Sequence, residues 1–489
     1  MRCSFAIAVL TPARESEQLS QFLYAMSRFV LIPLIVACAL FMENMDSTII
    51  TTSLPVIAED LRQNPLALNL ALTSYLVSLA VFIPISGWVA DRYGSRSVFA
   101  AAIVVFMSGS LLCAASSSLA AFVAARFLQG IGGAMMVPVG RLVLLRTVPK
   151  NELIAALNYL TIPALLGPVI GPPLGGFITL NFNWRWVFLI NLPIGIAGLL
   201  LVLRYIPNIR EPGIHSLDVK GFLLSGIGLS VLVLGLSMFG RHLVSGEVPA
   251  VCVVAGALAL GAYIWHARRT EHPLIDLNLL KLVTFNSGVV GGGLFRIGVG
   301  ATPFLLPLML QLGFGLNPFQ SGLLTCASAM GAMFMKTFTV RILKRYGFRR
   351  VLTVNAVLAS CATAGYGLFV ASTPHFVIIA VLLFSGCLRS LQFTGLNAMS
   401  FADVSRQTMS QATSLSSMAQ RLCQSLGVVT GAFVVQAASS LHGHEVIEAS
   451  DFWPAFLALG AIAAGSLFFH VRLPADAGAE VSGHAPGGG

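Results

Sequence analysis

Residues 87–99 read Gly-Trp-Val-Ala-Asp-Arg-Tyr-Gly-Ser-Arg-Ser-Val-Phe, a charged turn between two apolar stretches that are each long enough to cross a bilayer. A second copy follows past the midpoint. Lys344-Arg345-Tyr346-Gly347-Phe348-Arg349 repeats Asp91-Arg92-Tyr93-Gly94-Ser95-Arg96 at an offset of 253 residues. Each copy comes after the second span of a six-span block. The chain is therefore expected to be a duplicated helical bundle, the plan by which secondary transporters set a site between two halves.

Of 489 residues, 56% are hydrophobic and 10% are charged, against roughly 25% charged in an average soluble chain. This composition indicates an all-α polytopic membrane protein. A net charge of +10 would suggest nucleic acid in a soluble protein. Here the basic residues cluster in short loops between apolar runs, so membrane topology accounts for them and no nucleic-acid partner is expected. Eight cysteines are scattered singly, as at Cys38, Cys113 and Cys361, which predicts no disulfide framework, zinc site or redox centre. No phosphate loop of the form Gly-x-x-x-x-Gly-Lys-Ser/Thr occurs. His442-x-His444-Glu445 reads as an incidental loop pair rather than a metal site.

A spanning helix needs about 20 mostly apolar residues, and fourteen candidates fall near 29–52, 69–90, 98–116, 120–145, 152–178, 187–205, 217–239, 249–267, 285–311, 319–342, 350–371, 376–399, 412–436 and 453–472. Short connections leave no room for a soluble catalytic domain. With both termini inside, the inner segments hold 20 Lys and Arg residues and the outer loops hold three, Arg62, Arg185 and Arg241. That asymmetry sets the orientation. Six more lie within spans: Arg126, Arg141, Arg296, Lys336, Arg389 and Arg421. The expected organisation is a cytoplasmic N-terminal tail at 1–28, a six-helix half at 29–205, a linker with two extra lipid-facing spans at 206–284, a second half at 285–472 and a cytoplasmic tail at 473–489. Residues 1–28 read as a tail rather than a signal peptide, because the apolar core is short and Arg14, Glu15 and Glu17 follow it. Met26, just before the first apolar run, is an alternative start.

Four stretches carry chemistry. In Gly87-x-x-x-Asp91-Arg92-x-Gly94-x-Arg96 the glycines permit a tight turn and close helix approach, while Asp91 can accept from helix amides or an arginine. Span one holds Asp46 in Met45-Asp46-Ser47-Thr48-Ile49-Ile50, with Glu43 three residues earlier on the same helical face. Ionisable groups at this depth are functional candidates, and two neighbouring carboxylates suit proton exchange; a fixed salt bridge is the alternative. Span four holds Arg126-Phe127-Leu128-Gln129-Gly130. Arg126 and Asp46 each lie about six residues, roughly 9 Å, from their outer ends, so they are expected to meet. Span five carries Gly167-Pro168-Val169-Ile170-Gly171-Pro172-Pro173-Leu174-Gly175-Gly176, whose small residues at four-residue spacing favour close helix contact.

Together these motifs resemble the major facilitator superfamily, and within it the fourteen-span drug/proton antiporters of EmrB/QacA type, over nearly the whole chain. Trp184-Arg185-Trp186 through Asn191-x-Pro193 adds to the likeness, with an aromatic belt as its physical reading. The resemblance implies two six-helix halves plus two inserted helices, fourteen in all, and proton-coupled export of small molecules from a bacterial inner membrane without a cofactor, as a monomer. It further implies that the loop of Gly87, Asp91, Arg92, Gly94 and Arg96 latches the halves. Glu43, Asp46 and Arg126 then couple protons, and Gly167, Gly171, Pro172, Gly175 and Gly176 belong to the antiport motif. Lys344 replaces Asp91 in the second loop, which predicts an asymmetric latch.

The 253-residue register sets Glu43 opposite Arg296, and the two are expected to pair. Carboxylates from the first half and cations from the second should face a water-filled cavity. Asn44, Met45, Gln129, Arg296, Arg389 and Arg421 are the candidate substrate contacts, with Phe295 and Phe304 in an apolar lining. Arg141 and Lys336 are expected to snorkel, without a transport role. Several arginines in one cavity would suit anionic or zwitterionic compounds. An uptake symporter is the nearest alternative function. A membrane-bound enzyme lacks any clustered nucleophile, metal or cofactor site.

Overall fold

The computed structural model describes residues 12–63, 68–213, 215–239, 247–443 and 448–484. Among these every regular element is helical. Apolar runs without internal polar breaks leave the backbone one way to satisfy its N–H and C=O groups in hydrocarbon, which is the helix. Twelve elements are long and apolar enough to cross a membrane, and the bent pair Leu70–Phe82 and Ser86–Tyr93, meeting at 58°, raises this to thirteen. One of the twelve, within Pro318–Gly365, is broken at Gly347 (φ 73°, ψ 164°) and contains both the tenth and the eleventh expected spans. The expected positions of all the spans are thus occupied by helix.

The first helix runs Pro12–Asp60. Residues 12–28 are thus helical and run without a break into span one, and residues 1–11 lie outside the described residues. His444 and Glu445 also lie outside them. Elsewhere in the described residues no group of three potential metal ligands occurs. Tail residues after 472 include a short helix, Ala479–Ser482, which lies against the charged turns. Lys150 pairs with Glu480 at 2.9 Å, and the Lys344 carbonyl accepts from His484 Nδ1 at 3.0 Å if that nitrogen is protonated.

Spans seven (Val219–Phe239) and eight (Glu247–Ala267) pack on each other, and seven lies against span two and span thirteen (Met409–His442). Only 17% of the apolar window of span eight is buried, against 72% for span four (Leu119–Thr147). Exposed side chains such as Val251, Leu258 and Phe376 form an apolar outer surface that water would not tolerate but lipid does. The molecule is a multi-pass membrane protein.

Both copies of the repeated turn change direction at a glycine in the left-handed region, Gly94 (φ 94°) and Gly347 (φ 73°). After Gly94 the chain is fixed by Ser95 N–H donating to the Ile209 carbonyl at 3.0 Å. A Cβ at Gly94 would also collide with the Asn208 amide. Gly94→Ala should therefore destabilise the fold by about 1–3 kcal/mol. Gly198→Ala, where a Cβ meets nothing within 4 Å, should be neutral or slightly stabilising. Thermal unfolding in detergent reads both.

Candidate functional site

Span one brings Glu43 and Asp46 to one face, and span four crosses it at Arg126. Arg126 Nη1 lies 2.7 Å from Asp46 Oδ2, with side chains 1% and 0% exposed. The second carboxylate oxygen, Oδ1, accepts from Gln129 Nε2 at 2.9 Å and from Asn191 Nδ2 at 2.8 Å. Arg126 also donates to Gln129 Oε1 at 2.6 Å, and its guanidinium stands 4.5 Å from the Tyr75 ring centroid. Asn191 donates in addition to Ser110 Oγ at 3.0 Å. Five side chains from spans one, three, four and six thus share one network around both carboxylate oxygens, which is how a buried ion pair becomes tolerable, while Arg126 Nε and Asn191 Oδ1 are buried without a partner.

The structure brings Asp46 and Arg126 together as their depth in the sequence suggested. It adds Asn191, Ser110 and Tyr75, which sequence reasoning did not assign. The signal was present for Asn191 in the Asn191-x-Pro193 stretch, read there only as part of an aromatic belt. The aromatic segment itself splits by role. Trp184 is buried, and its indole N–H and Arg185 both reach Asp60 Oδ2, at 3.0 and 2.9 Å. The Trp184 hydrogen bond, helped by Arg185, holds the Asp60 carboxyl below its ordinary range.

Glu43 does not pair with Arg296. Its Oε1 lies 2.7 Å from Arg421 Nη2 of span thirteen, an ion pair that joins the two halves. The linear 253-residue register does not set the pairing, and the two spans differ locally: span nine contains π-helical turns at Ser287–Gly291 and Met309–Gly313, while span one is continuous. Arg296 instead donates to Asn397 Oδ1 at 3.1 Å. Direct access of water to both carboxylates is also not found: Asp46 is 0% exposed and Glu43 2%. Arg421, 37% exposed, is the solvent edge of the pair, and Glu43 Oε2 is buried without a partner.

Other cavity expectations separate similarly. Met45, Gln129 and Phe295 are fully buried, Gln129 because it serves Asp46. Asn44 is partly exposed and Phe304 exposed. Arg389 is partly buried and donates to Ser328 Oγ at 2.7 Å within the second half. Lys336 does not snorkel. It is 6% exposed, with Nζ on the Thr394 hydroxyl and its carbonyl accepting from Asn158 of span five at 2.9 Å. Arg141 is partly exposed, with Nη2 3.5 Å from Gln420 Oε1 of span thirteen and Nη1 buried without a partner.

The halves meet again at the end of the bundle that holds the charged turns. Gly87 N–H donates to Ser414 Oγ at 3.0 Å, and a Cβ at Gly87 would stand 2.6 Å from the Ser410 carbonyl oxygen. Asp91 accepts from the Ser410 hydroxyl and pairs with Arg146 at 2.7 Å, and Arg146 in turn pairs with Glu211 at 3.0 Å. Arg92 is exposed and Arg96 partly so. In the second copy, Lys344 contacts the C-terminal segment through its carbonyl, so the contact between halves is built on the first turn.

Span five (Leu153–Asn181) lies along span one. A Cβ at Gly167 would sit 2.9 Å from the Met45 backbone nitrogen, and one at Gly171 would collide with Thr48 Oγ1. These two glycines seat span five directly on the acidic segment. Gly175 accepts from Thr179 Oγ1 at 2.6 Å, Gly176 has open space where a Cβ would be, and Pro172 lies between Gly171 and Gly175 in the same helix.

With this geometry established, the sequence matches the family described as Major Facilitator Superfamily over residues 36–428 and 288–484. The chain is 38% identical over 447 residues to a protein of Serratia proteamaculans (strain 568) named MdtD, for multidrug resistance, covering 90% of this chain and 93% of that one. The MdtD of Cronobacter sakazakii is 38% identical over 449 residues, covering 90% and 94%, and that of Yersinia pestis (strain Pestoides F) 37% over 451, covering 91% and 96%. In fold it is similar to the proton:xylose symporter XylE (TM-score 0.65, 15% identity, 93% of this chain and 98% of that one). It is also similar to the human organic anion transporter MFSD10 (TM-score 0.61, 15% identity, 91% and 98%).

Breaking one side of a buried pair leaves an uncompensated charge, at a cost of about 3–5 kcal/mol. Arg126→Gln should show that loss, and the double variant with Asp46→Asn should recover much of it. A double-mutant cycle by thermal or denaturant unfolding in detergent checks this.

Proposed function

We propose that this chain, which belongs to the major facilitator superfamily of transporters, exports small, chemically varied molecules in exchange for protons by alternating access. The observation that carries the proposal is the pair of ion pairs on one helical face: Asp46–Arg126 within the first half and Glu43–Arg421 between the halves. Protonation of Glu43 would remove the attraction for Arg421 and release a tie across the seam. Protonation of Asp46 would free Arg126 and loosen spans one and four. Because Asp46 is sealed in this conformation, its proton exchange follows the parting of the halves, whereas Glu43 exchanges first, through the solvent edge at Arg421. Two carboxylates opened in turn give a physical route from proton uptake to helix movement.

The relatives named for multidrug resistance support export, and the span-five glycines that seat the acidic segment fit that reading. The driving force is the proton gradient, with no bound cofactor. The location proposed is a bacterial inner membrane, with both termini cytoplasmic as the Lys and Arg distribution indicates, and a single chain as the working unit. In that orientation the Asp91–Ser410 and Gly87–Ser414 contacts close the cytoplasmic side. Cargo would then face outward when they form and inward when they break.

Proteoliposomes with an imposed pH gradient test the proposal, with ethidium as the probe. Asp46→Asn and Glu43→Gln should each lower proton-driven flux at least tenfold while leaving ethidium binding within a few fold. Unchanged flux in both variants refutes the coupling assignment, and accumulation of ethidium along the proton gradient would make the chain a symporter. Asp91→Asn should raise the accessibility of cytoplasmic-side cysteines introduced at the Gly87–Ser414 seam, because the latch keeps that side closed.

A further inference from the structure

Two arginines meet at the seam between the halves without a carboxylate, and a buried lysine lies on the same helix face nearby. Arg141, from span four, reaches across to Gln420 of span thirteen at 3.5 Å. Gln420 Nε2 lies 3.5 Å from Asn397 Oδ1, the same oxygen that accepts from Arg296 at 3.1 Å. One chain of side-chain amides therefore joins a cation of the first half to a cation of the second. Lys336 touches Thr394, one helical turn before Asn397 on span twelve (His375–Ser400). The Lys336 carbonyl is held by Asn158 of the first half, so it too lies at the seam.

The charges do not balance. Among the described residues no ion pair includes Arg141, Arg296 or Lys336, and the Glu43 carboxylate that could have served them is taken by Arg421. Arg141 is repelled by Arg421 and Arg296 by Arg141. Arg141 Nη1 is shielded from solvent and has no hydrogen-bond partner, and Arg296 is 5% exposed. A buried guanidinium N–H without an acceptor costs stability unless something fills the place. Neutral amides orient these cations but cannot neutralise them. A structural role alone would be served as well by apolar or neutral side chains, without the cost of setting two like charges against each other at the seam.

We propose that Arg141 and Arg296 form an anion subsite at the seam, which holds a carboxylate group of the cargo between the two halves. The planar guanidinium fork matches a carboxylate in two parallel hydrogen bonds. One arginine comes from each half, so a bound anion bridges the halves beside the Glu43–Arg421 pair and shares the control of their parting. This inference rests on the transport reading above for its role in flux, and on the side-chain geometry alone for binding.

Equilibrium binding to the full purified chain separates the two. Carboxyfluorescein serves as the anionic probe and ethidium as the cationic one, both read by fluorescence anisotropy. Arg141→Gln and Arg296→Gln should each weaken carboxyfluorescein binding tenfold or more and leave ethidium binding unchanged or tighter. Arg141→Lys, which keeps the charge but loses the fork, should fall between. Lack of carboxyfluorescein binding to the wild type, or equal binding by all variants, overturns the subsite. For variants that do not fold, the wild type decides alone: benzoate should displace carboxyfluorescein and raise the unfolding temperature, and choline should do neither, with the reverse pattern overturning the proposal. Carboxyfluorescein binding without any proton-driven flux of either dye would leave the subsite standing and defeat the export reading. Ethidium flux without carboxyfluorescein binding would do the opposite.

Discussion

A carboxylate inside a bilayer must be matched by a cation or carry a proton, and Asp46 meets that constraint through Arg126 at 2.7 Å. Much of the first half is arranged around the match. Gln129 and Asn191 take the other carboxylate oxygen, Ser110 fixes Asn191, and Tyr75 lies against the guanidinium. A network that engages both carboxylate oxygens couples its members, and removing one of them changes the balance of the others. That sensitivity suits a sealed pair to a switch.

Span one links this network to the rest of the molecule. Glu43 reaches Arg421 in the second half, one turn from Asp46, and span five is fitted onto the same segment by Gly167 and Gly171. Movement of the acidic segment therefore cannot be confined to one half. At the far end the Asp91 and Gly87 contacts to span thirteen tie the same two bodies together. Span thirteen is thus the common partner of both ties, through Arg421 near its middle and through Ser410 and Ser414 near its start.

Duplication set the frame and divergence set the function. Both repeat turns keep a glycine with positive φ, a conformation that glycine adopts without the clash a Cβ would cause. The acidic position was not kept. Lys344 stands where Asp91 stands in the first copy, and its carbonyl accepts from His484 instead of its side chain latching the halves. Likewise Arg296 stands where Glu43 stands in the repeat, yet the two take separate partners, Asn397 and Arg421. Acid in one half and base in the other is what allows attraction across the seam.

The amino-acid sequence by itself determined the helical class, the position of the spans, the repeat and the meeting of Asp46 with Arg126. Long apolar runs, a turn motif copied at fixed spacing and equal depth in the bilayer are one-dimensional properties. The partners of Glu43, Arg296, Arg141 and Lys336 were decided only by tertiary structure. Which cation meets which carboxylate depends on helix rotation and on local breaks of a few residues, and a shift of one residue turns a side chain by about 100° around the helix. Asn191 became part of the site for the same reason. Its own segment marked it, but its role follows from the carboxylate that stands opposite it.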